Sequence, residues 1–301
     1  MIYLLLVSIA WAFSFGLIKG NLAGVDSNFV SFARMACALL VFLPFVKFRK
    51  LPGKKFFLLM LDGFLQFGIM YIAYTAAFRY LQAYEVALFT IFTPVYVTLI
   101  NDTFAQKFNP TFLLTALLAV AGTFVIEYGQ AVNPGFWWGF LLVQISNLGF
   151  AFGQIYYRHL MANETELKDR DVFGVLYLGA ALGTGAVTLI FTPLNSLQLS
   201  PTIEWTLAYL GIFASGICFF LWNLGARKVN TGALAIFNDL KIPLSVTVSL
   251  LIFGEKTNLP ALLIGGTIIL ISLVLNELWV RRVKENPAHA GNLLKEGLSK
   301  Q

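Results

Sequence analysis

Two cysteines and two histidines are all that 301 residues offer to disulfide frameworks, thiol chemistry or soft-metal binding. Cys37 and Cys218 each stand alone in an apolar run, which is neither a disulfide pattern nor a metal motif. His159 and His289 fall in a loop and in the C-terminal tail, away from any intramembrane site. No metal and no cofactor is therefore expected. Charge is also scarce, at 12% of residues. No phosphate-cradling glycine loop, nucleophile elbow or convincing acid/base pair occurs, so the chain does not read as an enzyme. Apolar residues fill the space instead: 58% are hydrophobic and the mean hydropathy is +0.77, the composition of a polytopic membrane protein. The net charge of +6 comes from basic residues in short loops between apolar runs, which is membrane topology and not nucleic-acid binding.

Ten runs approach the roughly 20 residues that a hydrocarbon core demands. They are 2–19, 28–48, 56–78, 84–103, 111–128, 135–158, 171–191, 203–224, 231–253 and 260–280. Each must be a helix, because lipid offers no partner to an open strand edge. The first run lacks the basic start of a signal peptide and is expected to be retained. Its Phe13-Ser14-Phe15-Gly16 recurs as Phe150-Ala151-Phe152-Gly153.

A displacement of 149 residues places Pro94 on Pro243, Val97-Thr98 on Val246-Thr247, Phe104 on Phe253 and Asn109 on Asn258. The expected architecture is thus all-α, with ten transmembrane helices in two five-helix repeats, 1–130 and 131–280, and a short basic tail, 281–301. An odd number of spans per repeat inverts the second repeat relative to the first. Inverted repeats place a central site where the halves meet.

With the N-terminus inside, sixteen of the twenty-one Lys and Arg residues face the cytoplasm, among them Lys47, Arg49, Lys50, Lys54 and Lys55. Lys19, Arg79 and Lys256 face out, and Arg34 and Lys241 lie within spans. That bias places both termini in the cytoplasm of a multi-pass protein.

Polar residues inside spans are costly and mark candidate sites. The ninth span carries Asn238, Asp239 and Lys241 at its midpoint, followed by Pro243, whose missing N–H frees the carbonyl of residue 239. Pro94 is the corresponding helix-break position in the fourth span. Arg34 lies about two turns into the second span, either snorkelling to the interface or facing a cavity. Tyr71 and Tyr74 lie on an aromatic stripe down the third span; Trp11 and Ser14 come from the first, Asn147 and Gln154 from the sixth, and Asn223 from the eighth. Buried amides also bind neighbouring helices, so both roles stay open for them. Asp62, Glu85, Asp102 and Glu204 are read as lying near span ends, within reach of water or headgroups.

The two five-helix halves, the repeated Phe-x-Phe-Gly, Arg34-x-x-x-Ala38, and Pro243 leading to Phe253-Gly254-Glu255-Lys256 make the chain resemble the drug/metabolite transporter superfamily, in its ten-helix EamA-like branch. The likeness covers residues 1–280, with one departure, Gln106 where the family usually has Glu. The resemblance implies a bacterial inner-membrane transporter of small metabolites. It also implies a cavity lined by helices one to four and six to nine, with helices five and ten outside it. The expected function is export of amino acids or related carboxylate-bearing compounds by alternating access. Exchange of phosphorylated or other anionic metabolites is an alternative, and a membrane-embedded lipid enzyme is the reading from another class. The expected partners are a small-molecule substrate and the lipid bilayer, with no nucleic acid, and the protein is a monomer or homodimer.

Overall fold

The computed structural model describes residues 2–104, 118, 121–122, 125, 135–229, 231–254 and 258–285. Most of the fifth expected span lies outside these, as do several side chains of 231–285, including those of Asp239, Lys241 and Pro243. Among the described residues the regular structure is entirely helical. Seven helices are long and apolar enough to cross a membrane by length and composition: Ile2–Asn21, Ser27–Phe45, Gly53–Ala77, Ala83–Phe104, Phe136–Leu160, Asp169–Phe191 and Pro201–Ala226.

By packing, Met1–Phe104 with Ala131–Lys256 form one compact unit, and Ala105–Gln130 with Thr257–Gln301 another. The first unit begins with α1 (Ile2–Asn21), α2 (Ser27–Phe42) and α3 (Gly53–Gly63). A π segment, Phe64–Ile69, joins α3 to α4 (Met70–Ala77). Next come α5 (Ala83–Phe89), a 3-10 turn over Thr90–Phe92, and α6 (Thr93–Phe104). After these lie α7 (Phe136–Leu160) and α8 (Asp169–Phe191). A second π segment, Tyr209–Ile217, separates α9 (Pro201–Ala208) from α10 (Cys218–Ala226), and α11 (Thr231–Leu251) closes the unit. In the second unit the described helix is α12 (Leu259–Glu285).

Within the first unit, helices from the early and late parts of the chain interleave. α1 lies along α11 and α10, α2 along α8 and the second π segment, and α4 along α7. Small residues permit the closest approach: a Cβ on Gly63 would lie 1.9 Å from the Leu176 carbonyl oxygen, and one on Gly179 2.0 Å from that of Met60. α3 and α8 therefore touch backbone to backbone, the contact by which helices associate without a hydrophobic drive.

The start of α2 is fixed by Asp26, whose Oδ1 accepts the backbone N–H groups of Asn28 (2.9 Å) and Phe29 (3.1 Å). The Thr192 hydroxyl donates to the same oxygen at 2.6 Å, tying α2 to the end of α8, and Arg79 Nη2 reaches Oδ2 at 3.2 Å. Partial burial alone would raise this carboxyl; the donors from Thr192, Phe29 and Asn28 and the Arg79 charge outweigh it and hold the group below its ordinary value.

Pro94 occupies the first turn of α6, where its missing N–H has no helical duty. The preceding residues tighten into the 3-10 turn, whose Thr90 carbonyl accepts from Thr93 N–H. α11 runs as one helix through position 243. Asp62 is fully buried, so it does not lie within reach of water as the sequence suggested.

Candidate functional site

Inside the first unit is a cavity of about 60 Å³. α1 contributes Trp11, Ser14 and Phe15; α2 contributes Arg34; α4 contributes Met70, Tyr71 and Tyr74. The turn at Pro94 presents Thr90 and Thr93, α7 presents Ser146, Asn147 and Phe150, and α10 presents Phe219. The volume corresponds to roughly four water molecules. Small-molecule sites more often measure about 300–1,000 Å³, so these walls must part to admit a metabolite.

Two local irregularities shape the walls. A π segment leaves carbonyls without their usual i+4 donors, and such bulges gather at functional sites. In Tyr209–Ile217 those carbonyls find other partners. Trp11 Nε1 donates to the Ala214 carbonyl at 2.9 Å, and the Tyr177 hydroxyl lies 2.6 Å and 2.9 Å from the carbonyls of Ser215 and Gly216. With its backbone so engaged, Ser215 turns its hydroxyl to Arg34. The second irregularity is the turn before Pro94, where the Thr93 hydroxyl donates to Asn147 Oδ1 at 3.2 Å and Asn147 Nδ2 donates to the Phe89 carbonyl at 2.9 Å.

Among the described residues Arg34 is the only charged one in the cavity wall, and it is 2% exposed. Its Nε donates to Ser215 Oγ at 3.0 Å, its Nη2 donates to the Tyr71 hydroxyl at 2.8 Å, and the guanidinium carbon lies 4.2 Å from the Tyr71 ring centre. Nη1 is buried without a partner, and so is Ser14 Oγ. Among the described residues no carboxylate forms an ion pair with Arg34. A buried, unpaired cation costs several kcal/mol, which an anionic ligand would offset. Much of the remaining wall is aromatic: the Trp11 ring lies 4.6 Å from that of Phe219 and 6.0 Å from that of Phe150, and Tyr74 meets Phe15 edge-on at 5.8 Å. The arrangement can hold a molecule with an acidic end and a flat or fused apolar body.

Of the residues expected from sequence, Trp11, Ser14, Arg34, Tyr71, Tyr74 and Asn147 come together here. Gln154 and Asn223 are buried beside the cavity lining: Trp222 Nε1 donates to Gln154 Oε1 at 3.2 Å, and Gln66 Nε2 donates to Asn223 Oδ1 at 3.2 Å. Asn238 is buried, with Nδ2 donating to the Leu234 carbonyl at 3.0 Å and Oδ1 unpartnered; it is not in the cavity wall. The side chains of Asp239 and Lys241 lie outside the described residues. Sequence reasoning did not assign Met70, Thr90, Thr93, Ser146 or Phe219 to the site. The proline at 94 was the one signal that pointed to the two threonines.

The family model of the EamA-like transporter family matches residues 1–128 and 137–277. A biotin transporter of Salmonella typhimurium is 40% identical over 285 residues, covering 93% of this chain and 94% of its own. A probable biotin transporter of Pseudomonas aeruginosa is 40% identical over 287 residues, covering 94% of this chain and all of its own, and the Escherichia coli K12 biotin transporter is 39% identical over 285. None of these names supports the expected export of amino acids. One solved crystal structure, 18% identical, superposes with a TM-score of 0.65 over 92% of this chain and 97% of its own, a likeness of fold alone. With the family match spanning nearly its whole length, the chain belongs to the EamA-like transporter family and is a membrane transporter, not an enzyme.

Proposed function

We propose that this transporter carries biotin, with the solute's carboxylate on Arg34 and its fused bicyclic head among the aromatic walls. The observation that carries the reading is Arg34 itself: buried in the cavity wall, without an acid partner among the described residues, and with Nη1 unpartnered. Biotin combines a carboxylate, an aliphatic chain and a ureido ring bearing N–H donors and a carbonyl. Ser14, Thr90, Thr93 and Asn147 offer hydroxyl and amide groups for that ring, and Trp11, Phe150 and Phe219 offer apolar faces. The three relatives' names point to the same solute. Amino acids fit less well, because among the described residues no carboxylate lines the cavity to take an ammonium group.

The ten-span, two-repeat architecture is part of this proposal. Its supports are the family match in two stretches and the paired π segments, one in the third expected span and one in the eighth. Both termini are placed in the cytoplasm by the Lys and Arg bias, in a bacterial inner membrane, and the site alternates in access between the two sides. The test is counterflow in proteoliposomes, with labelled biotin outside and unlabelled biotin, amino acids or phosphate esters inside. Biotin alone should drive label uptake; uptake driven equally by an amino acid or a phosphate ester would refute the assignment.

A further inference from the structure

Asp62 lies nine residues into the long helix Gly53–Ala77 and is 0% exposed. Both carboxylate oxygens are buried without a hydrogen-bond partner. An ionised carboxylate in that position would be costly to hold without a partner. Among the described residues nothing in the packing calls for an acid here: it caps no helix, joins no ion pair and closes no hydrogen bond. An apolar residue of similar size would suit a purely structural role better.

A second observation connects Asp62 with the cavity. One turn further along, Gln66 is also fully buried, with Oε1 unpartnered, and across from it Gln154 has Nε2 unpartnered. The two amides are tied to neighbouring residues of α10, Asn223 and Trp222. The Trp222 ring lies 5.0 Å from that of Trp11, in the cavity wall. A seam of incompletely bonded polar groups thus leads from Asp62 toward the cavity, past the π segment Phe64–Ile69. α7 comes close here because residue 153 is glycine: a Cβ there would lie 2.1 Å from Gln66 Cβ.

Most titratable groups on the elements packed against α3 are engaged elsewhere or uncharged; Arg158 is the exception among the described residues. Tyr156 and Tyr157 of α7 are near enough to sense a charge on Asp62, and the Tyr157 hydroxyl donates to Asp169 at 2.7 Å. Arg158 follows them with Nη1 buried and unpartnered, and among the described residues it makes no ion pair with Asp62. On α8, Asp169 pairs with Arg227, Asp171 pairs with Lys47 and lies near Arg170, and the Tyr177 hydroxyl is held by carbonyls. Lys55 of α3 itself pairs with Glu164.

We propose that Asp62 is a proton-binding site through which solute movement is coupled to proton movement. This rests on the reading of the Arg34 cavity as a carboxylate site. In this conformation the acid is neutral; when α3 and α7 part and the seam is wetted, it releases its proton. The proton offsets the solute's negative charge, so the two cross together without net charge.

The test uses the full-length protein in liposomes. By infrared spectroscopy at neutral pH, the wild type shows the carbonyl stretch of a neutral carboxylic acid that Asp62→Asn lacks. An imposed proton gradient drives wild-type biotin accumulation toward the one-proton limit of about tenfold per pH unit. Asp62→Asn keeps counterflow and loses the gradient-driven part. Absence of the acid band, or an Asp62→Asn variant that accumulates biotin with the same gradient dependence, overturns the proposal. Should the wild type show no biotin counterflow, the solute assignment falls, while the infrared band still decides the state of Asp62. Should Asp62→Asn misfold, Asp62→Glu keeps gradient-driven accumulation with a displaced pH profile; an unchanged profile overturns the proposal.

Discussion

Replacing Arg34 with Gln separates binding from folding unusually well. The substitution removes the one charge that the described residues place in the cavity wall but orphans neither of its protein partners, because the Tyr71 and Ser215 hydroxyls also lie 2.9 Å from each other. It also relieves a buried, unpaired cation, so the unliganded variant should be at least as heat-stable as the wild type. The loss should fall on the ligand. A hydrogen bond to a charged group contributes about 1.5–3 kcal/mol, which is roughly a 10- to 100-fold rise in Kd. In a thermal-shift assay with biotin at about 100 times the wild-type Kd, binding stabilises the wild type by about 2.7 kcal/mol. For a variant whose Kd is 100-fold weaker, the same concentration yields only about 0.4 kcal/mol. Arg34→Lys keeps the charge without the planar fork and should fall between the two. An Arg34→Gln variant binding biotin within twofold of the wild type, or a wild type binding biotin methyl ester as well as biotin, would refute the reasoning.

Two further predictions concern the scaffold. Gly63→Ala forces a methyl group to within 1.9 Å of the Leu176 carbonyl oxygen, where backbone must yield. The expected cost is about 1–3 kcal/mol or more, seen as a lowered unfolding temperature in detergent; an unchanged temperature would contradict the α3–α8 contact. Asp26→Ala removes the cap of α2 and should cost about 0.5–2 kcal/mol at neutral pH. Because the folded carboxyl lies below its ordinary value of 3.8, its contribution is fully present above that value and is lost as pH falls through the lower folded value. The stability gap between wild type and variant should therefore close in acid and not in base.

Much of this was legible in the residues. Apolar runs near 20 residues became helices because lipid allows little else. Arg34, Tyr71, Tyr74 and Asn147 stood out because polar groups in such runs need a reason. Much of the apolar wall was not legible: Met70 and Phe219 facing a cavity are chemically identical to residues facing lipid. The π segments were hidden for the same cause, since Phe64–Ile69 reads as ordinary helix until its packing partners are known. Gln154 and Asn223 show the converse limit, because an amide's partner across a helix interface leaves no trace in spacing. Asp62 was misjudged by counting from the end of its span, when the surrounding packing of α7 and α8 decides its exposure.

The central claim is that a carboxylate-bearing solute sits in the cavity on Arg34. An experimental structure with biotin bound tests it most directly. The account predicts the biotin carboxylate within hydrogen-bonding distance of Arg34 Nη1 and the bicyclic head against Trp11, Phe150 and Phe219. Biotin bound elsewhere in the protein, or in this cavity with its carboxylate turned away from Arg34, would contradict it.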